Sequence, residues 1–199
     1  MNTTTKLEAL NTIISVAGEP PLPSVDPSLS ADAAIALRFL DESLREVLME
    51  QWNFNTERRT IEADGDGEVN LPANCFLAYI DRSKDNYSNE YTQRGHRLFD
   101  ATDGTYTINA DLNVTMILGF DFEECPEFIR QYAMVKAARK FQDRRLGERE
   151  LHQYTQEDEI MAKGRARGAD DLDADYSIFD HPSVGEVIHR RGYPYRPNG

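Results

Sequence analysis

The chain has 199 residues, 40% hydrophobic and 29% charged, which bounds it to one globular domain or two small ones. A formal net charge of −13 and a pI near 4.7 argue against free binding to DNA phosphates, which needs a basic surface. No apolar run approaches the roughly 18 residues of a membrane span, and the start MNTTTKLEAL has neither the basic head nor the apolar stretch of a signal peptide.

Leu7, Leu10, Ile13, Ile14 and Ala17 recur at helical spacing and predict a first helix over Thr3 to Ala17. Thr3, Thr4 or Thr5 caps it and Gly18 ends it. The linker GEPPLPSVDPSLS follows, and its four prolines favour an extended path. A second helix is predicted from Ser30, its N-cap, to about Gln51, with Ala33, Leu37, Leu40, Leu44, Val47 and Leu48 on one apolar face.

Residues 53 to 121 read as β structure. Asp64-Gly65-Asp66-Gly67 predicts a hairpin turn between Arg59–Glu62 and Glu68–Leu71. Phe76 to Ile80 reads as a buried strand. Glu90 to Arg94 and His96 to Phe99 flank Gly95 as another hairpin, and Asp103-Gly104 is a third turn. Tyr106 to Ile108 and Asn113 to Leu118 supply β-branched and aromatic strands. Short strands with frequent turns predict a small sandwich or open barrel.

Pro126 to Leu146 is predicted as one long helix. Pro126 suits the first turn, Glu123, Glu124 and Glu127 complement the positive end of the dipole, and Lys140, Arg144 and Arg145 the negative end. Apolar residues cover most of its circumference, which implies packing on more than one side. Glu148 to about Arg167 reads as a further helix with a narrow stripe of Leu151, Tyr154, Thr155, Met161 and Ala162. From Ala169 the composition turns acidic, then basic, aromatic and proline-containing. That stretch is expected to be an extended arm.

Amphipathic helices before and after the β region must share a core. The expected architecture is therefore α+β: a discontinuous helical bundle from residues 1–52 and 122–168, a small antiparallel β domain inserted at 53–121, and a C-terminal arm at 169–199.

The sequence carries no GxSxG, HExxH, Walker A or dinucleotide motif. His96, His152, His181 and His189 share no metal-ligand spacing. The Asp64–Gly67 stretch is weakly similar to a calcium loop, but the closing acid falls at Ala73, so a turn is the better reading. Cys75 and Cys125 read as reduced, ordinary residues, and sequence leaves a disulfide between them open. No catalytic residue, metal ligand or cofactor is expected. Glu123, Glu124 and Glu127 offer the one alternative, an acid–base pair for a glycan hydrolase. A free cytosolic regulator is a third reading.

Four places carry a family likeness: Ala17-Gly18-Glu19-Pro20-Pro21 after the first helix; Ala31-Asp32-Ala33-Ala34 leading to Trp52-Asn53-Phe54-Asn55; the hairpin Tyr91 to Asp100; and Cys125-Pro126-Glu127 leading through Lys136-Ala137-Ala138-Arg139-Lys140-Phe141-Gln142 to Leu146-Gly147. In order and spacing the chain resembles tail tubular protein A, the head-to-tail adaptor family of short-tailed podophages, over most of residues 5 to 165. The resemblance implies a structural virion protein, made in the host cytoplasm and placed in the tail at the portal vertex. It implies a twelve-subunit ring between the portal protein and the tail nozzle, tail tubular protein B, with DNA passing through unbound. An arm that docks on the portal or a neighbour is common in such adaptors. Tyr176, Phe179, Arg190, Arg191, Tyr193 and Tyr195 have the residue types of interface anchors, and they are the expected contact residues.

Overall fold

A computed structural model describes residues 3–80, 89–146 and 155–179. Among these residues four α-helices and five strands run in the order α1 (Lys6–Ser15), α2 (Ala31–Leu48), β1 (Thr56–Ile61), β2 (Cys75–Ile80), β3 (Tyr91–Arg94), β4 (Arg97–Asp100), β5 (Leu112–Leu118), α3 (Glu127–Leu146) and α4 (Gln156–Phe179). The fold is α+β, as the sequence patterns predict.

The first two helices start where their capping chemistry says they should. Thr5 and Glu8 form a reciprocal capping box on α1: the Glu8 N–H donates to Thr5 Oγ1 at 3.2 Å and the Thr5 N–H to Glu8 Oε2 at 2.8 Å. The Ala33 N–H donates to Ser30 Oγ at 3.0 Å and starts α2. α3 packs on α1, α2 and α4, so its wide apolar surface is used on three sides. Ile129, Ala133, Ala137, Ala138 and Phe141 of α3 are fully buried against Leu10, Ile13, Leu40, Val47 and Trp52. Each large aliphatic buried here contributes about 1.5–3 kcal/mol before conformational entropy is subtracted.

β1, β5 and β2 form an antiparallel sheet with β5 in the middle, and β3–β4 is a separate hairpin. β5 is buried on both faces, as its central place requires: Val114 and Met116 face the second hydrophobic cluster, and Thr115 and Ile117 on the other side are equally buried. The hairpin leans on β2, where the Ala78 N–H donates to Gln93 Oε1 at 2.6 Å.

Three sequence expectations need correction. Arg59–Glu62 and Glu68–Leu71 do not pair. β1 pairs with β5, while Glu68 and Asn70 make single bridges to Thr107 and Arg97. The turn between them exists, but Asp64 Oδ1 accepts the N–H groups of both Asp66 and Glu68 and redirects the chain. Gly67, at φ +75°, lies so close to Asn109 that a Cβ would collide with its side chain. Second, β2 is only half buried, since Leu77 and Tyr79 are each 40% exposed. Third, α4 does not end near Arg167. It continues through Gly168 to Phe179, so residues 169–179, expected to begin an extended arm, are helical. The two glycines cost helix propensity, and packing of Ala166 and Asp170 outweighs it. Residues 147–154, where this helix was expected to start, and residues 180–199 of the expected arm lie outside the described residues.

Candidate functional site

α4 is a polar helix, and what holds it is mainly polar. Ala162 and Ala166 are its apolar contacts with the bundle core. Below them Asp170 is buried and accepts the Asn53 backbone N–H at 2.9 Å and the Asn53 side-chain amide at 3.1 Å. One turn earlier, Arg167 donates to the carbonyl oxygens of Glu50 at 2.8 Å and Gln51 at 3.0 Å. Its guanidinium lies 3.9 Å from the centre of the Trp52 ring. These contacts meet the segment where α2 ends and the chain turns toward β1. Gln51 there has φ +62°, a left-handed conformation that costs a non-glycine residue about 1 kcal/mol.

Burial pushes the Asp170 carboxyl above its ordinary value, and the bond from Asn53 and the nearby Arg167 only partly offset it. On α3, Lys136 pairs with Glu46 at 3.1 Å, Lys140 pairs with Glu46 at 2.6 Å, and Arg139 pairs with Asp143 at 2.9 Å and with Glu159 of α4. Burial alone would raise the Glu46 carboxyl, but hydrogen bonds from Lys140 and Lys136 outweigh it and hold the group low. A cleft of about 270 Å³ between α3, α4 and the end of α2 is lined by Lys136, Arg139 and Glu159 of this set, together with Glu50 and Lys163. They satisfy one another, an arrangement suited to positioning helices.

The three glutamates weighed as acid–base candidates have structural partners. Glu127 accepts the Thr4 N–H at 2.8 Å and the Thr4 hydroxyl at 2.6 Å. Glu123 accepts the Lys6 N–H at 3.3 Å, and Glu124 the Asp121 N–H at 3.0 Å. Arg130 completes this knot through the carbonyls of Thr4, Glu123 and Cys125. Among the described residues no group of His, Cys, Asp and Glu could hold a metal ion, and no helix is long and apolar enough to cross a membrane. Cys75 and Cys125 are free and buried, and burial pushes the Cys125 thiol up to about 12.

Of the expected contact residues, Tyr176 and Phe179 fall in the last turns of α4, while Arg190, Arg191, Tyr193 and Tyr195 lie outside the described residues. Sequence reasoning missed Arg167 and Asp170. No local pattern marks the pair, because the groups they hold, Glu50 to Asn53, lie far away in sequence.

What decides the family is a match along the chain. The profile of the tail tubular protein family matches residues 7–176, from the first turn of α1 to the last turns of α4. The chain belongs to the tail tubular protein family. It is also similar to tail tubular protein A of Klebsiella phage KP34, with 25% identity over 122 residues. That alignment covers 61% of this chain and 63% of the relative's length. Tail tubular proteins are structural components of phage tails, and the interlocked, ion-paired helices described above suit a structural part.

Proposed function

We propose that this protein is the head-to-tail adaptor of its virion: a ring of twelve subunits between the portal protein and the tail nozzle, through which DNA passes during ejection. The observation that carries the reading is the family match over residues 7–176. The net charge of −13 supports it, because an acidic channel wall repels phosphates and lets duplex slide without sticking. In this reading the bundle of 1–52 and 122–168 and the β part of 53–121 act as two units of one subunit. The C-terminal segment beyond Phe179, with its Tyr193, Tyr195, Arg190 and Arg191, docks on the portal or the next subunit. The protein carries out no catalysis.

The test mixes the purified full chain with portal and images the product by electron microscopy. A ring added to one end of the portal is the expected result. Failure to co-sediment with portal at any salt concentration overturns the adaptor role.

A further inference from the structure

α4 buries Ala162, Ala166 and Asp170 and turns its other side outward. Met161 and Leu172 on that side are 51% and 69% exposed. Between them Gly164 and Gly168 have open space where a side chain would stand. Met161, Gly164, Gly168 and Leu172 follow one another at three- and four-residue steps, so they form a single outward stripe about 16 Å long. Asp171 is exposed beside it and has no hydrogen bond or ion pair among the described residues.

α2 carries the converse face. Arg38, Arg45 and Met49 are exposed, again over about 16 Å, and neither arginine has an ion-pair partner among the described residues. α2 and α4 each pack on α3 through other residues, so the two outward faces are different surfaces of one subunit. The signs run in complementary order: Arg165 precedes Asp171 on α4, and Glu42, 45% exposed, precedes Arg45 on α2.

We propose that the occupant of the α4 stripe is a second copy of this chain. The Met161–Leu172 face of one subunit seats on the Arg38–Met49 face of α2 in the next, with Asp171 against Arg45 and Leu172 beside Met49. Because the two faces differ, the contact is heterologous and repeats from subunit to subunit, as a ring requires. The inference rests on the ring reading above and names the contact that builds it.

The test compares the full chain with Leu172→Asp, Arg45→Glu, Asp171→Arg and the double variant Arg45→Glu/Asp171→Arg. Self-association is measured by sedimentation alone and on portal. All three substituted positions are exposed, so thermal unfolding should be unchanged. Each single change should weaken subunit–subunit association about tenfold or more, since like charges then face each other or a carboxylate enters an apolar contact. The double variant should recover, because every interface regains an opposite pair. Singles that associate like the parent chain, a double variant that does not recover, or a parent chain that never self-associates would each overturn the proposal. Self-association without portal addition sinks the adaptor role and leaves this contact standing. Rings on portal built equally well by the single variants do the reverse.

Discussion

The Arg167 guanidinium sits 3.9 Å from the centre of the Trp52 ring while its N–H groups reach the carbonyls of Glu50 and Gln51. One side chain thereby covers the aromatic ring and satisfies backbone acceptors left over at the end of α2. Trp52 is itself locked, since its indole N–H donates to the Val47 carbonyl at 2.6 Å. α4 is held at this point by fork geometry and stacking, with two alanines supplying the apolar contact.

Arg167→Lys should therefore behave as a disruptive change. An ammonium cannot stack and bridge two carbonyls at once. Asp170→Ala should act at the same place, because the buried Asn53 N–H loses its acceptor, a loss of about 1–3 kcal/mol. Hydrogen exchange should rise across residues 156–172 in both variants and stay near the parent value in α1 and α2. Uniform acceleration over the whole chain would contradict a local clamp.

The bundle core makes a sharper demand. Ala137 is fully buried at the face of α3 that meets its neighbours. Ala137→Glu would place a carboxylate there without a partner and should cost roughly 3–5 kcal/mol. Denaturant unfolding measures it. An unchanged midpoint would remove Ala137 from the interior.

Much of this was legible in the sequence because helices announce themselves twice, by apolar period and by caps. Thr5, Ser30 and Pro126 marked three helix starts correctly to within a residue or two. Strand partners were less legible. The Asp64–Gly67 turn was real, but turn chemistry does not say which strands meet, and β1 found β5 some fifty residues away because a strand buried on both faces must sit centrally. The far end of α4 was missed because Gly164, Gly168 and an acidic run all speak against helix. The clamp on Asn53 and Trp52 that stabilises it is a tertiary contact with no local signature. The family likeness was legible from motif order, whereas Arg167 and Asp170 looked like ordinary surface charges.

Acid should loosen the knot at the start of α3. Burial alone would raise the Glu127 carboxyl, but hydrogen bonds from Thr4 and Gln131 outweigh it and hold the group below its ordinary 4.5. A carboxyl lowered on folding contributes stability that is fully present above the unfolded value and is lost as pH falls through the folded one. Asp170, raised on folding, has the opposite sign, and its contribution declines as pH rises above about 3.8. Glu127→Gln should lower stability near neutrality by about 1–2 kcal/mol, the scale of a charge-assisted hydrogen bond. It should also flatten the acid limb of the stability curve below pH 4.5. A parallel downward shift at every pH would mean that Glu127 acts through packing and not through its charge.

The segment after α4 separates folding from docking. It holds Pro182, Pro194 and Pro197 among Arg190, Arg191, Tyr193 and Tyr195, the composition on which the expectation of a docking arm rests. The helical turns up to Phe179 belong to α4, so a cut after Asp175 would remove part of that helix, and the informative cut falls after Phe179. The twenty residues beyond it, if extended, reach roughly 70 Å, well past the subunit that bears them. The clamp at Asp170 and Arg167 lies wholly upstream of the cut. Truncation after Phe179 should therefore leave the unfolding temperature nearly unchanged while weakening attachment to portal. Binding measured by co-sedimentation at matched salt gives the comparison. A truncated chain that fails to fold would make the segment part of the core, and one that binds portal as tightly as the full chain would assign docking to another surface.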